Sequence, residues 1–317
     1  MAEIITKAKI ESTYKDKDVE EFIDIYFFRP FGYVLALGAK FLKLTPNNVT
    51  ILSMITGVIS GHLFYYSSMT INIIGIFAKI FSNALDSADG QLARMSNSKS
   101  DLGRILDGIS GHIVFLSIYI HLCLRCVSEG GSGWIFAVAT AAGICHFVQA
   151  GWGDYYRNGY LYFVRGARSS EIETSNILFH QYKNLKWEDN VLKKISTYSE
   201  YSYVLFLESF TKKFQKLKSM TNDIYGEEIP TWLGQEYRKT NKSMNKYYNI
   251  LTINVRQFTL FALLLIKIPE MFFVFELTVL NGLFLYAALR QENKTKHLIS
   301  QINAKVEDKS IQEKEPN

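Results

Sequence analysis

The sequence has little cysteine and little proline, three and five residues respectively in a chain of 317. Cys123, Cys126 and Cys145 all lie inside apolar stretches. Cys123 and Cys126 form a C-x-x-C, but no second pair completes a zinc set and no helix start is there to lower a thiol pKa. All three read as small apolar fillers rather than redox or metal groups. A short apolar core of the kind a signal peptide needs is missing from "MAEIITKAKIESTYKDKDVEEF", so no cleavage is expected there. No compact basic and aromatic patch accompanies the net charge of +5, which argues against nucleic acid and for an anionic lipid surface. No repeat of solenoid period is present.

What the sequence does have is segregation. It is 48% hydrophobic and still 21% charged, with a mean hydropathy of +0.02. Formal charge is absent from Val49 to Met69, close to the ~20 residues a helix needs to cross a bilayer. Five further stretches follow: Ile71–Leu85, Ile105–Leu124, Trp134–Gln149, Ile250–Ile268 and Met271–Leu289. The fourth is marginal in length and the fifth is interrupted by Arg256. With an inside N-terminus, the three outer loops hold only Arg125 and Lys267 as basic residues. The positive-inside rule then places both termini on the cytoplasmic side.

The fold class expected is all-α and integral to the membrane. Six transmembrane helices follow an N-terminal interfacial amphipathic helix, kinked near Pro30, and enclose a helical cytoplasmic insert. The segments are 1–44 (cytoplasmic and interfacial), 45–164 (helices one to four), 165–247 (the insert), 248–290 (helices five and six) and 291–317 (a charged tail expected to fray). The insert stretch "NVLKKISTYSEYSYVLFLESFTKKFQKLKSM" has helical periodicity, with an apolar stripe and a basic face.

Between the second and third stretches stands "NALDSADGQLARMSNSKSDLGRILDGISGH". Asp86 and Asp89, three apart, share a helix face with Gly90 and Ala93, which leave room for something large. Two antiparallel helices joined by "RMSNSKSDLG" would bring Asp107 to the same place. Three carboxylates repel one another. Arg94 and Arg104 offset part of that charge; a hard divalent cation, Mg²⁺ or Mn²⁺, offsets more and keeps positions open for phosphate oxygens. The competing reading is a salt-bridged helix turn.

This stretch resembles the CDP-alcohol phosphotransferase (CDP-alcohol phosphatidyltransferase) signature D-x-x-D-G-x-x-A-R, eight residues, then G-x-x-x-D-x-x-x-D. Asp86, Asp89, Gly90, Ala93, Arg94, Gly103 and Asp107 fall in register. Pro46, Asn47 and Thr50 of "TPNNVT" are similar to the family's Pro-Asn-x-apolar-Thr. The resemblance covers about residues 45 to 155, and the insert has no counterpart in it. It implies a dimeric membrane fold whose site opens to cytoplasm and bilayer. It also implies Asp86, Asp89 and Asp107 as ligands for one or two Mg²⁺ ions on a CDP pyrophosphate. Gly90, Ala93 and Arg94, with Asn47 and Gly103, would take the nucleotide side. A hydroxyl acceptor would attack the β-phosphate of a CDP-linked lipid or alcohol, CDP-diacylglycerol foremost, and CMP would leave.

The sequence departs from that pattern at Gly111, where the family carries a fourth aspartate credited with metal binding and deprotonation. Either a loosened helix (a π-bulge, for instance) swings His112 in as the base, or the base is gone and activity is weak or absent. Lys79 and Arg256 are candidate cations for an anionic acceptor, against pairing with an aspartate for the first and snorkelling for the second. "GWGDYYRNGY", with Asp154, Tyr155 and Arg157, reads as the mouth of the site or as an interfacial aromatic belt. Besides the transferase, two functions compete: a non-catalytic relative acting as a nucleotide-binding or partner subunit, and an ion-coupled transporter. The transporter has against it the lack of paired inverted repeats.

Overall fold

A computed structural model describes residues 17–98, 100–166, 173–187, 191–226 and 228–312, and every regular element among them is helical. The chain divides into two compact units, Met1–Phe147 with Ile253–Val279, and Val148–Thr252 with Leu280–Asn317.

The first unit opens with one π turn, Asp24–Phe28, running into α1, Arg29–Phe41, with Pro30 in its first turn where a missing N–H costs nothing. Phe28, Ala36 and Ala39 are buried, the two alanines among Leu85, Ala88 and Leu92. The opposite face leaves Tyr26, Val34, Leu37 and Phe41 exposed. Thr45 caps α2, Pro46–Leu63, by accepting from the Asn48 amide at 3.3 Å. The next helix, α3, is Met69–Ser96, and α4 is Asp101–Ser128.

Small residues let these three helices touch. The hydroxyls of Ser53 and Ser82 each donate to the other's carbonyl, at 2.9 and 2.8 Å. A Cβ at Gly61 would lie 2.6 Å from the Ser117 hydroxyl and 2.9 Å from the Ile118 amide, so only glycine permits this α2–α4 approach. At the end of the bundle where α4 stops, buried Arg125 pairs with Glu129 at 3.1 Å, and Ser67 donates to the same carboxylate. That hydrogen bond, then the guanidinium, holds the Glu129 carboxyl below its ordinary range. The core of the unit joins Val114, Ile118 and Leu122 to Leu260 and Leu264 of α11, Ile253–Leu265, and to Phe272 and Phe273 of α12, Met271–Phe275.

The helix α5, Ile135–Arg165, begins in the first unit and ends in the second. There the insert folds as α6, Ser175–Asn184; α7, Val191–Phe210; α8, Lys212–Tyr225; α9, Thr231–Asn241; and a short α10, Asn245–Ile250. Its core is aromatic: Tyr156 stacks on Tyr248, and Phe163 on Tyr237. A π turn at Glu276–Leu280 precedes α13, Asn281–Gln312. The tail expected to fray after Arg290 is therefore helix to Gln312. Its order has a cause: Gln291, Thr295, Leu298 and Ile302 form a fully buried stripe at helical spacing.

Among the described residues, four helical runs are long and apolar enough to cross a membrane: Leu102–Ser128, Ile135–Arg165, Thr231–Leu265 and Met271–Glu307. They include the two stretches that look weakest in sequence. The helices α2 and α3 are not among the four, because their polar side chains dilute the apolar content. Ser53, Ser60, Asn72, Lys79, Ser82 and Gln91 are all buried against neighbouring helices.

Candidate functional site

The three aspartates come together. Asp86 and Asp89 sit on one face of α3, which ends at Asn97 in the left-handed conformation (φ 48°) that asparagine tolerates. The chain then turns back, and Ser100 caps α4 by accepting from the Gly103 amide at 3.0 Å. One turn later Asp107 faces α3. One carboxylate oxygen from each aspartate lies within 4.8 Å of the other two. Asp86 and Asp107 are exposed, whereas Asp89 is buried. An all-oxygen, triply anionic donor set of this size fits a hard divalent cation, and no nitrogen or sulfur donor competes in it.

Neighbours fix the set. Buried Thr50 donates to Asp89 Oδ2 at 2.5 Å, and its hydroxyl is 3.1 Å from the Pro46 carbonyl. The Asn47 side chain accepts from the Ser100 hydroxyl at 3.3 Å, and a Cβ at Gly103 would come within 2.7 Å of Asn47 Oδ1. The "TPNNVT" turn and the start of α4 thus meet closely at Gly103, where any larger residue would push the Asn47 side chain aside. The Arg94 guanidinium folds back over Gly90, 3.7 Å from where a Cβ would stand. Arg94 is exposed and Ala93 half-buried beside the carboxylates' helix face. Arg104 is exposed at the start of α4.

Other expected residues fare differently. Gly111 has open space: a Cβ there meets nothing within 4 Å. The π-bulge that would swing His112 inward is not found, since α4 is α-helical throughout. His112 lies about 140° around the helix from Asp107, exposed, with its ring 5.5 Å from that of Phe147. It is not placed as the base. Arg256 is corrected as an acceptor ligand too: it is fully buried and ion-paired with fully buried Glu276. Lys79 is 5% exposed and donates to Asn83, which donates to Gln257 at 2.6 Å, so it lies inside a polar line rather than open to a ligand. In the second unit, Arg157 pairs with Asp154 and donates to Asn249 at 3.3 Å, while Tyr155 accepts from Gln215.

Sequence reading passed over Asn83 and Glu276, and the role of Thr50. Thr50 was visible as a motif residue, but not as the donor that orients Asp89. Asn83, four residues after Lys79, had helical spacing as its signal. Glu276 stands in plain view inside an apolar stretch, and a lone acid there calls for a cation.

Residues 43–151 match the CDP-alcohol phosphatidyltransferase family model. The match contains the whole aspartate constellation, its Thr50 and Asn47 supports, and Gly111. It covers about a third of the chain and stops before the insert. No curated protein and no solved structure matches the chain.

Proposed function

We propose that the protein is an integral membrane phosphotransferase of phospholipid biosynthesis, moving a substituted phosphate from a CDP-alcohol to a hydroxyl acceptor. The donor we assign is CDP-diacylglycerol. The observation that carries the reading is the gathering of Asp86, Asp89 and Asp107 inside the matched segment. These carboxylates would hold one or two Mg²⁺ or Mn²⁺ ions, which when bound offset the charge of the pyrophosphate. Arg94 orients the pyrophosphate as a charged donor, with Gly90 and Ala93 leaving it room and Asn47 and Gly103 shaping the nucleotide side. The acceptor oxygen bonds to the β-phosphorus, the bond from that phosphorus to the bridging oxygen breaks, and CMP departs with it. The acceptor proton passes to solvent water, because Gly111 offers no group to receive it.

The surrounding frame in this proposal is six spans, with α2 and α3 as the first two. The exposed apolar face of α1 lies in the headgroup layer, the aspartates sit at the cytoplasmic rim and two copies form a dimer. Burial of polar groups between α2, α3 and α4 supports spans for the first two helices, since intramembrane polar groups turn inward. The charge asymmetry of the loops supports the orientation.

The test is CMP release by purified protein in vesicles from CDP-diacylglycerol and a panel of polyol acceptors, with and without Mg²⁺ or Mn²⁺. Metal-dependent release above an Asp86→Asn control supports the reading; a wild type as inert as that control defeats it. Gly111 favours a second reading, a nucleotide-binding relative without turnover. Such a protein binds CDP with metal yet releases no CMP from any CDP-alcohol.

A further inference from the structure

The insert holds a surface that the proposed reaction does not use. Along the second half of α5 the insert helices pack in sequence order. A Cβ at Gly151 would collide with the Tyr203 hydroxyl of α7. Phe214 of α8 fills the notch at Gly159, and Tyr237 of α9 stacks on Phe163 at 4.4 Å. From Ile135 to Gly153, α5 carries no formal charge; Asp154 and Arg157 are its first. If α5 crosses the bilayer, α7 therefore stands beside the point where it leaves the hydrocarbon.

The outer face of α7 suits that depth. Leu192, Ile195, Tyr198, Leu205, Phe206 and Phe210 are 37–58% exposed and recur at helical spacing along a helix of 20 residues, about 30 Å long. Between them the exposed positions are serines 199, 202 and 209, so no exposed residue of this helix is charged. Of its four charged side chains, Lys193 and Glu200 are half-buried, Lys194 donates to the Leu185 carbonyl at 2.6 Å, and Glu208 accepts from the Ser175 amide at 3.1 Å. A contiguous apolar stripe of this length left in water is unusual for a soluble surface. Directly after it, Lys212, Lys213 and Lys216 are exposed at the start of α8, with Lys213 paired to Glu292 at 2.7 Å. Apolar length ending in lysines matches the boundary between acyl chains and anionic headgroups.

We propose that α7 lies on the bilayer, its apolar face in the headgroup–acyl boundary and the lysines of α8 against anionic headgroups, making the insert a second membrane-docking element. This rests on the membrane placement of α5 but not on the transferase activity.

The experiment places photoreactive benzoylphenylalanine singly at Ile195, Leu205, Ile144 and Ser219 of the full chain, all exposed positions that tolerate a large side chain. Each variant is reconstituted in phosphatidylcholine vesicles with and without phosphatidylglycerol, and adducts are read by mass. Expected are lipid adducts at 195 and 205 severalfold above those at 219 and comparable to 144, which lies on the apolar part of α5. They should rise with phosphatidylglycerol, and Lys212→Ser with Lys216→Ser should remove the rise. Adducts indifferent to phosphatidylglycerol overturn the part given to the lysines. Cross-links from 195 and 205 to a second copy of the chain, or no lipid adduct there while 144 labels, overturn the docking. Failure of 144 to label overturns the placement of α5 and the docking with it.

Discussion

Two sets of acidic groups stand in the first unit, and the chain treats them oppositely. Glu276 is fully buried and paired with Arg256, so the protein supplies its counter-charge. The π turn Glu276–Leu280, a local widening of the helix, begins at the acidic member of that pair. Asp86, Asp89 and Asp107 instead bring three like charges within 4.8 Å. The first arrangement explains itself as structure. The second costs repulsion that the fold accepts, and that cost makes sense where a ligand removes it.

Neutralising one member of each set should separate the two most strongly. Asp86→Asn is expected to reduce CMP release to the metal-free level while leaving the melting temperature in detergent unchanged or raised. Glu276→Gln is expected to lower stability by about 3–5 kcal/mol, because it strands a buried guanidinium. The double change Arg256→Met with Glu276→Leu should restore most of that loss in the same melting assay.

Gly111→Asp sharpens the comparison from the other side. A fourth carboxylate fits the open space at 111 and should raise CMP release, up to the ~10²–10⁴-fold that a positioned base supplies. The assay is turnover at saturating metal, and an unchanged rate means that the missing base does not limit this protein. Thr50→Val removes the hydrogen bond that aims Asp89, and Mn²⁺ affinity should fall by about 10–100-fold with little change in folding.

The smallest effect concerns the opposite end of the bundle. Because the folded Glu129 carboxyl is held below its ordinary value of 4.5, the clasp with Ser67 and Arg125 stabilises above that pH. The contribution is lost as pH falls through the lowered folded value. Glu129→Gln should therefore cost under ~1 kcal/mol near neutrality, and melting curves of variant and wild type should converge in acid.

The contrast between the two sets also marks what sequence could and could not convey. Asp86, Asp89 and Asp107 were legible because their recognition depends on local spacing and one short crossover. The family resemblance read from them was right over the matched segment. Arg256 was misread as a free cation because its partner lies 20 residues away, across a turn, and nothing local points from one to the other. Thr50 and Asp89 are 39 apart, and their hydrogen bond exists only once α2 packs on α3 through paired serines. For the tail after Arg290, charge at its surface dominated the reading, while Gln291 and Thr295, polar by type, are fully buried, Gln291 accepting from the Tyr248 hydroxyl at 2.6 Å. His112 shows the reverse, a tempting residue whose neighbouring glycines leave the helix regular.

The central claim is that the three aspartates hold a divalent cation for a nucleotide pyrophosphate. Titration of the purified chain with Mn²⁺, followed by the loss of the free ion's paramagnetic resonance signal, measures it directly. Saturable binding that tightens when CDP is added, and that Asp86→Asn removes, is the predicted result. Identical titrations for wild type and for a chain with asparagine at 86, 89 and 107 would contradict it.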